Sequence, residues 1–304
     1  MSTRNVFAYI LNEQQLQQEE NNHPVVKMCK TLDVSETGYY KWKRTRNKPR
    51  AWQLLLVKIH DILNEHQDNQ NYGINRVHIA LQQKGHHVSR STVIRSMRKG
   101  NLLHKSRRSP NGLTKADKKA QRPDNVLDRD FTATRPDEKW LTDITEVPCS
   151  DGKLYVAPVL DCFGGEIVSM AMDEHMKKEL CIQAIADAYK NRTPGSGVLV
   201  HSDAGSQYTS DRFKELLGNY RAIQSMSDVG KCYDNARMES FFATLKKEKL
   251  YKMNTRKMTM EQVKTVIWRY VMVYYNRKRI STVNEGGWPP AIYREKAVAQ
   301  EDAA

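Results

Sequence analysis

Cysteine is sparse: five residues, Cys29, Cys149, Cys162, Cys181 and Cys232, scattered through 304 positions, odd in number and with no CxxC pair. That excludes a zinc ribbon and a disulfide framework and leaves reduced, buried thiols in a cytosolic protein as the simplest account. No run of about 18 apolar residues occurs, so no membrane-spanning helix and no membrane partner is expected. The opening MSTRNVFAYI lacks the basic flank and apolar stretch of an export signal. These absences together point to the cytoplasm. Acidic residues are also short, 35 Asp and Glu against 49 Lys and Arg, a net charge of +14. Such an excess favours a polyanion partner, nucleic acid being the commonest, over a protein that is merely basic. With 39% hydrophobic residues the chain is globular, and its length allows two or three modest domains.

The charge is unevenly spread. Residues 136–245 hold 11 Lys and Arg against 17 Asp and Glu, a balance of −6, while the flanks hold 38 against 18, a balance of +20. Basic arms suit phosphate neutralisation, and an acidic middle suits cation binding.

The N-terminal helical segment, residues 1–50, reads as a short polar helix over 7–20 and two short helices over 24–43, the second capped by Ser35 and carrying Tyr39, Tyr40 and Trp42. A small helix-turn-helix and a packing subdomain with an aromatic plug fit equally. Residues 51–104 form a clearer three-helix block: 52–66 with Leu54, Leu55, Ile59, Ile62 and Leu63 at helical spacing, 72–85 ended by Gly85, and a last helix capped by Ser89 and ended by Gly100. That last helix buries Val93, Ile94 and Met97 and presents Arg90, Ser91, Thr92, Arg95, Arg98 and Lys99, residue types that touch phosphates and base edges. A recognition helix in a DNA-binding helix-turn-helix is the reading; an ordinary basic surface helix is the alternative. Residues 105–136, with Lys105, Arg107 and Arg108 at their start, read as a basic linker, either laid along a phosphate backbone or a spacer.

From Trp140 the period changes. WLTDITEVP reads as one strand, Asp151-Gly152 as a hairpin turn, 153–163 and 166–172 as two more strands, then a helix to Arg192, a buried strand over 197–203, a helix from Asp211, a fifth strand over 223–227 and a long helix from about Asp234 to Lys249. This is one α/β domain, residues 137–252, with a mixed five-stranded sheet and flanking helices. Residues 253–304 hold a last helix, Met260 to Asn276, and an irregular basic tail.

Three carboxylates stand out by placement. Asp143 lies between Leu141 and Ile144 on the first strand, Asp203 follows Val198-Leu199-Val200, and Glu239 sits in the long helix. A charge inside an apolar strand is costly unless paired or bound to metal. A crossover helix lets the first and fourth strands lie side by side and brings the two aspartates together. Clustered carboxylates suit hard cations, Mg²⁺ or Mn²⁺, and two such ions about 4 Å apart serve in-line attack at phosphate. Taken singly, each residue also has a plain reading: an edge-strand residue facing water, a turn former, a solvated helix position.

HSDAGSQYTSDRF (201–213) and SDVGKCYDNARMESFFATLKKE (227–248) resemble the two signature blocks of bacterial insertion-sequence transposases with a retroviral-integrase-like core, in particular the second-frame protein of the copy-out, paste-in group. WLTDIT around Asp143 resembles the first block. Residues 52–100, with Tyr72-Gly73 and Arg76, resemble the helix-turn-helix before that core, and YYNRKR (274–279) its C-terminal segment. The resemblance implies a ribonuclease-H-like core preceded by an all-α helix-turn-helix region, and Mg²⁺-dependent cleavage and joining of DNA ends. It gives Asp143, Asp203 and Glu239 the metal-ligand and catalytic roles, and Lys246 a contact with DNA near the cleaved end. It makes His201, Gln207, Tyr233 and Asn235 shapers of the site. Asp234 reads instead as the N-cap of the long helix. The implied partners are double-stranded DNA, both element ends and target, a second copy of the chain in a dimer or larger assembly, and an upstream-frame helix-turn-helix protein, of which residues 7–20 resemble a remnant. The chain is then expected on the nucleoid. Two departures stand: Ala204 where many relatives carry a longer polar or basic residue, and a tail, RISTVNEGGWPP, without the histidine often found after that arginine. A non-catalytic DNA-binding regulator of transposition and a hydrolytic nuclease of the same fold are the competing readings.

Overall fold

The computed structural model describes residues 2–16, 24–103, 124–227 and 232–301, with Cys232, Tyr233 and Glu301 described by backbone alone. The chain divides into two compact units, Met1–Lys58 and Ile59–Ala304.

In the first unit, α1 (Thr3–Leu16), α2 (Val25–Thr31) and α3 (Glu36–Thr45) enclose Phe7, Ile10, Leu11, Val25, Cys29 and Tyr39. Ser35 caps α3 by accepting from the Gly38 N–H. The Phe7 ring meets Tyr39 edge-on at 5.9 Å, so the aromatic residues of α3 are the core of this unit. Residues 17–20 of the helix expected over 7–20 lie outside the described residues.

The second unit begins inside α4 (Ala51–Asn64), the helix common to both. A 3-10 turn (Gln67–Asn71), α5 (Ile74–Gln83) and α6 (Arg90–Lys99) follow. Gly85, at φ +76°, takes the left-handed turn after α5 that a Cβ would resist. Ser89 accepts from the Thr92 N–H at the start of α6.

The six-stranded sheet comprises β1 (Lys139–Thr142), β2 (Thr145–Cys149), β3 (Gly152–Asp161), β4 (Ile167–Asp173), β5 (Leu199–Ser202) and β6 (Ile223–Met226), paired in the path β2-β3-β1-β5-β6 with β4 also on β3. The pairings of β3 with β1, β2 and β4 are antiparallel, and β1-β5 and β5-β6 are parallel. The single strand expected over 140–148 is divided. β1 and β2 continue one register on β3, Thr142 facing Val159 and Thr145 facing Val156, with Asp143 and Ile144 between them outside either strand. The parallel pairs need crossovers, supplied by α7 (Lys178–Arg192) and by α8 (Ser206–Thr209) with α9 (Asp211–Asn219). The core between α7 and the sheet holds Trp140, Val159, Val200, Phe213, Ile185 and Met226.

A 3-10 turn (Cys232–Asn235) leads into α10 (Ala236–Glu248). The helix expected over 260–276 is α only as α11 (Met260–Trp268), then widens into a π-helix over Arg269–Tyr275. The tail expected to be irregular ends in α12 (Pro290–Glu301). Pro290 suits a first helical position, and the Ala- and Glu-containing stretch behind it has good helix propensity that its charges obscured.

Two expectations for the linker and α10 are corrected. The described part of the linker, from Asp124, is packed on the core: Leu127 is 2% exposed and its N–H donates to Ser225 Oγ. Asp234 does not cap α10. Asn235 occupies the cap position, without a side-chain capping bond, and the buried Asp234 carboxylate accepts from Arg129 Nε (2.7 Å) and Asn125 Nδ2 (3.1 Å). A carboxylate this buried needs a charged partner more than a helix cap.

The far end of α10 carries a second buried ion cluster. Glu248 accepts from Arg279 Nε (2.9 Å) and Nη2 (2.7 Å), Arg76 Nη1 (3.1 Å) and Tyr270 Oη (2.8 Å). Burial alone would raise its pKa, but the Arg279 hydrogen bonds and charge, aided by Arg76, hold it below the usual value. Arg76 also donates to the Ile280 carbonyl, and Tyr274 Oη to Asn69. The side chains of YYNRKR thus bind the region before the core to the core itself, and Asn276 completes the join by pairing with both backbone groups of Ile167.

Candidate functional site

The parallel register of β1 on β5 pairs Lys139 with Leu199, Trp140 with Val200 and Leu141 with His201. Carried two residues further, it sets Asp143 beside Asp203, each just beyond the end of its strand. Asp143 lies in the break before β2, where its Oδ1 accepts from the Ile144 N–H (2.7 Å); Asp203 Oδ1 accepts from the Gly205 N–H (3.1 Å). Burial raises the Asp143 pKa to about 7, with the Asp203 charge adding to it, the Ile144 N–H opposing, and Glu239 adding further. The Lys246 charge, two turns along α10 from Glu239, pulls it slightly the other way. Asp203 is raised too, chiefly by burial. Two adjacent carboxylates, each reluctant to ionise, could hold a cation, whose charge would favour their ionised form.

Glu239 stands apart from the pair. It lies in the first turn of α10 and is exposed, and its pKa is raised modestly by burial. Its charge reaches Asp143, but among the described residues no three His, Cys, Asp or Glu side chains form a ready metal cage.

The donors present near the pair are oxygens. Asn235, 5% exposed, donates from Nδ2 to the Thr142 carbonyl (3.2 Å), directly before Asp143, and its Oδ1 is a buried acceptor with no partner. Cys181, buried behind the two aspartates, is pushed up to about 12 by burial and stays a thiol. Tyr208 Oη contacts Thr142 Oγ1 (3.2 Å), closing the floor. Oxygen-only donors fit Mg²⁺ or Mn²⁺ rather than zinc.

His201 is fully buried. Its Nδ1 contacts Ser225 Oγ (2.9 Å) and its Nε2 contacts Ser227 Oγ (3.0 Å). Burial, partly offset by Asp234, lowers its pKa to about 4, so it is a neutral strut behind β5 rather than a proton carrier. Gln207 donates to the Met176 carbonyl (3.0 Å) and holds the loop after Asp203. The Tyr233 side chain lies outside the described residues, as do Lys105, Arg107 and Arg108.

On α6, Arg90, Ser91, Arg95, Arg98 and Lys99 are exposed and Thr92 is half-buried. Arg90 Nε donates to Asn75 Oδ1 on α5 (3.1 Å), and Ser91 and Thr92 hydroxyls turn inward to Ser89 Oγ. The outward cationic face of α6 is therefore carried by Arg95, Arg98 and Lys99. Sequence reasoning passed over Asn125 and Arg129, hidden in a stretch read as linker; the apolar Leu127 between them was the available signal.

Among the described residues no helix is long and apolar enough to cross a membrane. The sequence matches the family described as Integrase core domain over residues 133–232 and again over 239–298, and an HTH-like domain over 51–110. The uncharacterized 31 kDa protein of insertion element IS600 from Shigella sonnei is 34% identical over 271 residues, 88% of this chain and 98% of that one. The putative transposase InsK of insertion sequence element IS150 from Escherichia coli (strain K12) is 32% identical over 278 residues, 90% of this chain and 94% of that one. Among solved structures, the HTLV-2 integrase catalytic core domain in complex with magnesium is 17% identical, with a TM-score of 0.40 over 53% of this chain and 98% of that one. With its ribonuclease-H-like mixed sheet behind an HTH-like region, and with such identity along nearly the whole of both chains, this chain belongs to the insertion-sequence transposases of the IS3 family.

Proposed function

We propose that this transposase nicks DNA at the ends of its element and joins the resulting 3′ ends to target DNA, with Asp143, Asp203 and Glu239 holding two Mg²⁺ ions, or Mn²⁺ in their place. The observation that carries the reading is the meeting of Asp143 and Asp203 at the ends of parallel neighbours, where burial and mutual repulsion favour a bound cation. Such cations, when bound, sharpen the attacking oxygen and neutralise the leaving one in an in-line displacement. The chain's own part is positional. Glu239, on an exposed first turn, closes on the pair when DNA and metal arrive. Lys246 meets a phosphate near the cleaved end, and Asn235 holds the start of α10 against the Asp143 strand. The exposed face of α6 binds duplex DNA through Arg95, Arg98 and Lys99, and two ends brought together imply at least a dimer.

A labelled element end incubated with a target duplex and Mg²⁺ scores binding, nicking and joining at once. Asp203→Asn is expected to lose nicking by several orders of magnitude while DNA binding is largely kept. Equal nicking by variant and parent ends the proposal. The exposed Glu239 favours a second reading, a non-catalytic regulator that occupies the ends, which predicts binding without nicking under any divalent cation.

A further inference from the structure

Residues 124–131 run as a strap between β6 and the start of α10, the helix that carries Glu239. At one end the strap is fastened to β6: the Met226 N–H donates to the Asp124 carbonyl (3.3 Å) and the Leu127 N–H to Ser225 Oγ (3.1 Å). Ser225 Oγ in turn meets His201 Nδ1, two residues before Asp203. Toward its other end the strap grips the start of α10. Asn125 and Arg129 hold the Asp234 carboxylate, which is 1% exposed, and Arg237 Nη1 donates to the Phe131 carbonyl (2.9 Å) and to the Cys162 carbonyl (2.6 Å). Asn125 is itself steadied, its Oδ1 accepting from the Asp128 N–H (3.1 Å).

Asp234 and Arg237 flank Asn235 and precede Glu239 within about a turn and a half of backbone. Among the described residues, tethers at the start of α10 include Asp234 to the strap, Asn235 to β1, and Arg237 to the strap and the end of β3. Of these, the Asp234 tether is an ion pair, on a carboxylate that is 1% exposed. A helix N-terminus without a side-chain cap frays unless something else fixes it.

We infer that the 124–131 strap is a positioning element for the Glu239 carboxylate: through the Arg129–Asp234 ion pair it sets where α10 begins, and through Ser225 and His201 it ties that position to the Asp203 loop. Asn125, Arg129 and Asp234 are assigned as positioning residues, acting through α10. The inference deepens the metal-site proposal and rests on it for its consequence, though the tethering itself does not.

The test uses the full chain and two variants, Arg129→Ala and Arg129→Lys. The Arg129 side chain is half exposed, so its removal leaves the core packing intact. Amide hydrogen exchange without metal reads the tether directly. In Arg129→Ala, exchange over residues 236–242 is expected to quicken by roughly 10-fold, with α7 and β3 unchanged, and Arg129→Lys to restore most of the protection. Mn²⁺ affinity, followed by the electron paramagnetic resonance of the free ion, is expected to fall roughly 10-fold in Arg129→Ala. A merely structural residue would quicken exchange throughout the sheet, and that uniform result overturns the inference, as does unchanged exchange over 236–242. Asn125→Ala, which removes the second hydrogen bond to Asp234, must move exchange in the same segment. If the parent binds Mn²⁺ no better than Asp203→Asn, the metal-site proposal falls, while the exchange result still decides the strap.

Discussion

Asp161 ends β3 with 1% of its surface exposed, accepting from the Asp137 and Phe163 backbone N–H groups. Burial raises its pKa to about 7 against an ordinary 3.8, the two N–H bonds and the Arg192 charge opposing. The folded state therefore prefers the neutral acid. Its contribution to stability is complete below about pH 4 and is lost as pH rises through about 7. Glu248 has the opposite sign: its lowered pKa gives stability that is present above its ordinary 4.5 and lost as pH falls below it. Urea unfolding from pH 4 to 8 is expected to show parent stability declining toward neutrality, and Asp161→Asn, which carries no titrating proton, is expected to show a shallower decline, the remainder coming from the raised Asp143 and Asp203. Asp161 was not legible in the sequence, where it reads as one more acid after an apolar run; only pairing with β1 shows it to be enclosed. Asp143 and Asp203 were legible, because an acid at the end of a buried apolar run is anomalous wherever the strands fall.

Among the elements, α10 joins two tasks, carrying Glu239 in its first turn and Glu248 in its last. The Glu248 and Arg279 side chains are 12% and 8% exposed, so removing the carboxylate strands the buried Arg279 guanidinium and takes one partner from the part-buried Arg76. Glu248→Ala is expected to cost about 3–5 kcal/mol in urea unfolding. Helical periodicity made α4, α5, α6, α7 and α9 readable, and Ser35 and Ser89 marked the starts of α3 and α6. The break between β1 and β2 was not readable, because no glycine or turn pair marks it within residues 140–147, and only the strand pairing shows where Asp143 turns aside. The strap was hidden for a related reason: its anchors are a hydroxyl, an amide and a guanidinium, which set no period.

At the scale of the molecule, charge division was the most readable feature and pointed to DNA before any motif did. Binding to a duplex is expected to weaken steeply with salt, and the slope of log K against log salt should shrink by about 0.9 for each phosphate contact removed. Arg95→Ala with Arg98→Ala is therefore expected to flatten that slope by about 1.8 and to leave the melting temperature unchanged, since both side chains are exposed. An unaltered slope would take α6 out of the DNA interface. The joining of the α5 region to the core was beyond sequence reading, since Arg76 and Glu248 are 172 residues apart and Asn69 and Tyr274 are 205 apart. Tyr72, Arg76 and the YYNRKR segment, read as marks of kinship, are fasteners between regions distant along the chain.

The wide turn at Arg269–Tyr275 has a mechanical consequence. It accommodates one more residue per turn than its flanks, and that surplus lets Tyr270, Tyr274 and Tyr275 all face inward while Arg279 still meets Glu248. Deleting a single residue there would leave a sound helix yet rotate everything after it by about 100°. Arg279 would then be carried away from Glu248 by a lesion that touches neither residue.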